Sequence, residues 1–266
     1  MIFYFSGTGN SEYAARMLAH PGETLISIGQ AVKEQSFSFS IDIGERIVYV
    51  FPVYFGGLPL PVREFLSHLR LLTEGTCDPS FRKEVTAVVT CGGTSVGIDQ
   101  IFQRALSSCN QDCKQVFSVL MPDNYFPGFQ MASEKEEFRI LEDADKSLRE
   151  IASAMDNSSF PEPDSVLHTG SSALQQSLSQ AALYDEARRT SHFWVDEQCV
   201  SCHACEKRCP VNAIQLIDGV PTWVKDSCAL CLGCARCGAI HYDQADKTNG
   251  RYKHPIYRKQ KPSCCT

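Results

Sequence analysis

The chain has 266 residues, 43% of them hydrophobic, enough to bury a sizeable core in one large domain with a smaller one, or in two. Its formal charge of −6 argues against a nucleic-acid binder, because phosphate binding rests on clustered Lys and Arg, which gather here only from Arg251 to Lys261. The longest apolar runs fall far short of the ~20 residues of a membrane helix, and "MIFYFSGTGN" lacks the marks of a signal peptide, so a cytoplasmic location is expected.

The first 125 or so residues alternate strand-like and helix-like runs. "MIFYF" reads as a strand leading through a glycine turn into "SEYAARMLA", whose apolar positions recur at helical spacing. "TLISI" is a short strand, and "RIVYVFPVYF" is a strand ending in an aromatic loop. "PVREFLSHLRLL" follows as a helix opened by proline. "EVTAVVTCGG", "GIDQIFQRALSS" and "KQVFSVLMPDNY" add a strand, a helix and a fifth strand. This alternation predicts an α/β fold with a five-stranded, doubly wound parallel sheet covered by helices on both faces. Residues 133–155 are expected to form a long helix, "DNSSFPEPDS" (156–165) a linker, and "SSALQQSLSQAALYDEARR" a further helix. From Phe193 the chain becomes Cys-dense, with Asp218-Gly219 suited to a tight hairpin between "AIQLI" and "VPTWV". The expected division is 1–157, a linker and helix over 158–192, and a small α+β domain over 193–266.

Three loops fall at the carboxyl ends of the predicted strands, where doubly wound sheets bind ligands. "SGTGNS" (Ser6, Gly7, Thr8, Gly9, Asn10, Ser11) joins the first strand to the first helix. Its glycines allow a tight turn, and its hydroxyls and helix-start N–H groups suit a phosphate monoester. The loop alone also fits an ordinary turn in which Asn10 or Ser11 caps the helix. It is neither a dinucleotide fingerprint nor a P-loop. Pro52, Val53, Tyr54, Phe55, Gly56 and Gly57 end the third strand, offering two aromatic rings that stack on a ligand or pack beneath the loop. Cys91, Gly92, Gly93 and Thr94 end the fourth, and Asn124 and Tyr125 lie at the same rim after the fifth. Phosphate loop, aromatic loop and glycine loop together fit flavin mononucleotide (FMN).

Fourteen cysteines without a secretion signal read as metal ligands or reduced thiols rather than disulfides. Cys77, Cys91, Cys109, Cys113, Cys264 and Cys265 are scattered or terminal, as packed or surface thiols are. The other eight form two runs. Cys199, Cys202, Cys205 and Cys209 follow C-x2-C-x2-C-x3-C-P, in which three thiolates wrap one iron–sulfur cubane and the fourth crosses to another. Zinc is the competing occupant, but it favours two separated C-x2-C pairs. Cys228, Cys231 and Cys234 repeat the regular spacing and would be completed by Cys209. Cys237 is displaced: five steps separate Cys234 from Ala239, against eight from Cys205 to Ala213, and Gly238 replaces the proline. Either the tightened loop still brings Cys237 to the set of Cys199, Cys202 and Cys205, or that set has three protein ligands and turns to Cys264 or Cys265. His203 and His241 are expected to be exposed or hydrogen-bonded bystanders.

With "SGTGNS", "VTCGG", "MPDNY", the two Cys runs and "RYKHP" (251–255), nearly the whole chain resembles the flavodoxin–ferredoxin fusion proteins, the EFR-type ferredoxins. The resemblance implies a flavodoxin-like domain holding FMN and a bacterial-ferredoxin-like domain holding two [4Fe–4S] clusters. Ser6 through Ser11 would hold the phosphate, and the loops at 52–57 and 91–95 the ring. The function expected is electron transfer between one-electron redox partner proteins and FMN. The alternatives are an FMN-dependent reductase acting on a small molecule and fed by the clusters, or a redox sensor.

Overall fold

The computed structural model describes residues 1–42, 44–73, 82–157, 180–243 and 249–258. In chain order the first half runs β1 (Ile2–Tyr4), α1 (Asn10–Leu18), β2 (Leu25–Ser27), α2 (Ile28–Glu34), β3 (Ser38–Ile41), β4 (Val48–Pro52), α3 (Leu60–His68), β5 (Arg70–Thr73), β6 (Lys83–Cys91), α4 (Ile98–Leu106), β7 (Gln111–Leu120) and α5 (Glu134–Asp156). Five of these strands pair in parallel in the order β2-β1-β4-β6-β7. Counted within the sheet, that is 2-1-3-4-5, the doubly wound order of flavodoxin-like folds.

Side chains alternate across this sheet with the period of two that a pleated strand imposes. Phe3, Tyr49, Phe51, Ala87 and Val89 face α2, α3 and α4, whereas Ile2, Val48, Val50 and Val88 face α1 and α5. Phe3 is fully buried and meets Phe39, Tyr49 and Phe65 at ring distances of 5.2–5.4 Å. Strands covered on both faces need such continuous apolar runs.

Two expectations need correction. "TLISI" is strand only to Ser27, whose hydroxyl caps α2 by accepting from the Gln30 amide. The helix of "PVREFLSHLRLL" ends at His68, and Arg70–Thr73 pairs in parallel with β3. Leu71 and Leu72 continue a helical apolar period, but the strand edge offered by β3 decides their conformation. The long helix is found at α5, capped by Ser133. Within the expected linker and following helix, residues 158–179 lie outside the described residues, and 180–187 are helical.

The second half contains β8 (Phe193–Val195), α6 (Ala204–Arg208), β9 (Ile214–Ile217), β10 (Val220–Trp223), a 3-10 turn (Cys234–Cys237), β11 (Ile240–Tyr242) and α7 (Pro255–Arg258). Antiparallel pairs β8–β11 and β9–β10 flank the cysteines. Asp218 and Gly219 have φ of 50° and 79°, so the expected hairpin is a two-residue turn of the primed kind. Among the described residues no helix is long and apolar enough to cross a membrane.

One buried ion pair gives the first half a defined acid limit. The Glu23 carboxylate, 8% exposed, accepts from Arg46 Nε at 2.9 Å and from the His20 amide at 2.9 Å. Burial pushes its pKa up, but these bonds win and hold it at about 2, below the ordinary 4.5. A depressed folded pKa contributes stability above the unfolded value and loses it as pH falls toward the folded one. Urea unfolding between pH 4.5 and 2 should therefore show roughly 2 kcal/mol of acid-dependent loss that Glu23→Gln removes, a figure reduced from the full shift for solvent screening.

Candidate functional site

The carboxyl ends of β1, β4, β6 and β7 surround a cavity of about 260 Å³. Its polar floor is the loop after β1. Ser6 Oγ accepts from the Gly9 amide at 3.0 Å, and Thr8 Oγ1 accepts from Asn124 Nδ2 at 2.8 Å. Asn10 Nδ2 donates to the Pro122 carbonyl at 2.9 Å, and the hydroxyls of Ser11 and Thr90 meet at 2.8 Å. Neither Asn10 nor Ser11 caps α1: Gly9 takes that position in the left-handed region at φ 114°, without a side-chain cap. The first-turn N–H groups of a helix lack intrahelical partners and carry the positive end of its dipole, which suits an anion in this loop.

The walls are aromatic. After β4, Tyr54 and Gly57 exchange backbone hydrogen bonds at 3.0 and 2.9 Å, forcing Phe55 and Gly56 to φ of 48° and 71°. A bulky residue in that region is strained, and here the strain sets the Phe55 ring 5.4 Å from Tyr125, edge to face. A side chain at Gly56 would be strained by its φ of 71°, and a Cβ, 2.2 Å from Gln180 Oε1, would push that amide aside. Gly92 leaves room for Asp123, whose carboxylate oxygen would be 2.6 Å from any Cβ there.

Of the expected residues, Ser6, Gly7, Thr8, Asn10, Ser11, Pro52, Val53, Tyr54, Phe55, Cys91, Gly92, Asn124 and Tyr125 reach the cavity. Gly9, Gly56, Gly57, Gly93 and Thr94 shape the loops without lining it. Thr90, Pro122, Asp123, Phe129 and Leu230 line it and were not among the expected residues, although "VTCGG" and "MPDNY" hinted at three of them. Also missed is a brace behind the phosphate-type loop. Tyr252 donates to Asn10 Oδ1 at 2.7 Å, the His254 amide donates to the Thr8 carbonyl at 2.9 Å, and the His254 ring stacks on Tyr13 at 4.3 Å.

Burial and neighbouring thiols act together on the cysteines of both runs. Burial pushes the Cys205 thiol up to about 11, with neighbouring Cys237 and Cys199 adding to the rise. Burial likewise raises Cys228 to about 11 and Cys231 to about 12, and Cys209 adds to both. Burial also pushes the Cys234 thiol up, and Cys231, Cys228, Cys209 and, from the other set, Cys205 add to the rise. Amides of Ala213 and Leu230 donate to the sulfurs of Cys209 and Cys228 at 3.2 and 3.3 Å. Crowded, buried thiols resist ionisation on their own, and only a bound cation would hold them as thiolates. Among the described residues no three such side chains converge tightly enough for one ion; a cubane instead takes one thiolate at each iron, so its ligands stand apart.

The displaced Cys237 has a structural account. Its run ends in a 3-10 turn, and Gly238 at φ 91° swings the chain straight into β11. The missing residues are thus taken from the turn, and Cys237 remains close enough for its charge to act on Cys205. Cys237 is exposed, whereas Cys209 and Cys228 are buried. His203 bonds Glu206 at 2.8 Å, and His241 bonds Asp196 at 2.8 Å. Cys109 and Cys113 pack against the sheet core, and Cys77, Cys264 and Cys265 lie outside the described residues.

The second cysteine run lies directly against the cavity. Leu230 lines it, and a Cβ on Gly7 would lie 2.0 Å from the Cys231 carbonyl oxygen. Tyr184 donates to the Ala229 carbonyl at 2.9 Å and accepts from the Leu60 amide at 3.2 Å, joining the run to α3. Lys33 at the end of α2 donates to the carbonyls of Glu206 and Lys207 at 2.9 and 2.7 Å.

No curated protein matches the chain. Among solved structures, similar chains include general stress protein 14 in complex with FMN from Treponema denticola, 14% identical over 59% of this chain and 97% of that one, with a TM-score of 0.38. A flavoprotein in complex with FMN from Lactobacillus acidophilus is 16% identical over 44% of this chain and 90% of that one, with a TM-score of 0.31. The Trp repressor binding protein of Bacillus subtilis is 12% identical over 56% and 96%, with a TM-score of 0.35. The sheet order rests on the strand pairings themselves. Residues 192–215 match the 4Fe-4S binding domain family, and this segment of the chain is a 4Fe–4S-binding segment.

Proposed function

We propose that the chain is an electron-transfer protein linking one-electron redox partner proteins to FMN in the cavity, with one [4Fe–4S] cluster on Cys199, Cys202, Cys205 and Cys237 and a second on Cys209, Cys228, Cys231 and Cys234. Its membership among the EFR-type ferredoxins and a location in a reducing cytoplasm belong to the same reading. The observation that carries it is the seating of Leu230 and Cys231 against the cavity and its Gly7 loop. The residues suit these groups: a hydroxyl and helix-start floor for a phosphate, aromatic walls for a flat ring, and two sets of four thiols. When bound, the clusters carry single electrons and the flavin exchanges either one or two.

The chain's own contribution is placement. Exposed Cys237 marks the set turned toward solvent, where a partner can approach. Buried Cys209 and Cys228 mark the set turned inward, with Cys231 against the Gly7 loop. Phe55, Tyr125 and Phe129 wall the cavity, which limits water at a bound ring. Amides directed at sulfur tune the inner set. The reading is tested by anaerobic purification with iron, sulfide and flavin quantified. About eight iron per FMN is expected; about four would leave one set without a cluster, and no flavin would overturn the assignment of the cavity.

A further inference from the structure

Tyr54 ends β4 and packs against both halves of the molecule, edge-on to Phe5 at 6.3 Å and to Tyr184 at 6.3 Å. Its ring lines the cavity, but its hydroxyl is shut off from solvent and has no hydrogen-bond partner among the described residues. That is anomalous, because buried hydroxyls in folded proteins are almost always bonded. It is also anomalous locally. The Tyr184 hydroxyl is bonded twice, Ser11 meets Thr90, and Thr8 is bonded to Asn124. The surrounding protein has satisfied its other hydroxyls and left this one for something else.

The neighbourhood says what that is. Cys231 packs against the same apolar core as Tyr54. After burial, which raises the Tyr54 pKa, Cys231 is the charge that acts on its hydroxyl most strongly, ahead of Asp123 on the cavity wall, and Cys228 acts as well. The hydroxyl is not reached from the open cavity, and the ring packs against the apolar cluster that contains Cys209 and Cys228, with Cys234 on the same cluster, so the unmet donor lies on the cysteine side of the ring.

We propose that the Tyr54 hydroxyl donates a hydrogen bond to a sulfur of the cluster held by Cys209, Cys228, Cys231 and Cys234, making Tyr54 a tuning residue between that cluster and the flavin. Its ring forms the cavity wall while its hydroxyl serves the opposite side. This rests on the reading given under Proposed function. A donor to sulfur favours the more negative, reduced cluster, because hydrogen bonds to the charged form stabilise it. The hydroxyl therefore raises the potential of the inner cluster alone.

The experiment is an EPR-monitored redox titration of anaerobically loaded protein, after its iron, sulfide and FMN have been measured. Tyr54→Phe should lower the midpoint of one cluster by about tenfold in its equilibrium, or about 59 mV for a one-electron couple. The midpoint of the other cluster should not move. Site-specific 3-fluorotyrosine at position 54, a stronger donor in the same space, should shift the same cluster the opposite way, and it keeps the test decisive if Tyr54→Phe folds poorly. Unchanged cluster midpoints in fully loaded protein would overturn the proposal, as would a shift confined to the flavin. Wild-type protein lacking FMN or half its iron would overturn the underlying reading, and the cofactor analysis reveals that before any titration.

Discussion

Gly7→Ala should slow electron exchange between the cysteine-bound clusters and the flavin site by tenfold or more, and weaken FMN retention. The reason is steric and local. The new methyl carbon would sit 2.0 Å from the backbone oxygen of Cys231, with the Cys231 Cβ at 3.1 Å. Backbone on both sides must give, since neither atom is the end of a flexible side chain. The only escape is to part the loop after β1 from the second cysteine run. Overpacking of this kind costs about 1–3 kcal/mol, so the protein should still fold, with its two redox sites pushed apart. Gly93→Ala is the matched control, because a Cβ there meets nothing within 4 Å. Stopped-flow absorbance of the two variants, with FMN content measured in each, checks the prediction.

The second large effect is expected at Cys209. Its spacing places it in the first run, but its charge acts on the thiols of Cys228, Cys231 and Cys234. Cys209→Ala should lower iron from about eight to about four atoms per chain, leaving the set of Cys199, Cys202, Cys205 and Cys237 intact by EPR. Thermal unfolding should shift to markedly lower temperature, because metal binding contributes folding free energy and the remaining buried thiols lose the cation that holds them together. Cys237→Ala should instead damage the solvent-facing set, where exposure makes a three-ligand cluster labile. If Cys209→Ala left iron and EPR signals unchanged, the crossed arrangement of the two runs would be wrong.

These predictions rest on contacts of uneven visibility in the sequence. The sheet was legible because its strands carry apolar runs broken by Gly and Pro, and because each ends in a loop of distinctive composition. Asp218-Gly219 announced its turn, since few residue pairs accept two positive φ values in succession. The strand Arg70–Thr73 was not legible, because its leucines fit a helix equally well until β3 supplies a partner. Leu230 and the bracing residues Tyr252 and His254 left no signal toward the cavity. They reach it across more than two hundred positions of chain, and no local period encodes such a contact. The displaced Cys237 was visible as an anomaly, but the 3-10 turn and the left-handed Gly238 that shorten its run are backbone features that spacing alone cannot report.

If the inner cysteine set and the cavity form one electron-transfer unit within a single chain, electrons pass between them without a second molecule. The most direct test is anaerobic stopped-flow mixing of the loaded protein with a one-electron donor, following cluster bleaching and flavin reduction separately over a range of protein concentrations. Cluster bleaching should come first, and flavin reduction should follow at a rate independent of protein concentration. Flavin reduction that preceded cluster bleaching, or that rose in proportion to protein concentration, would contradict the account.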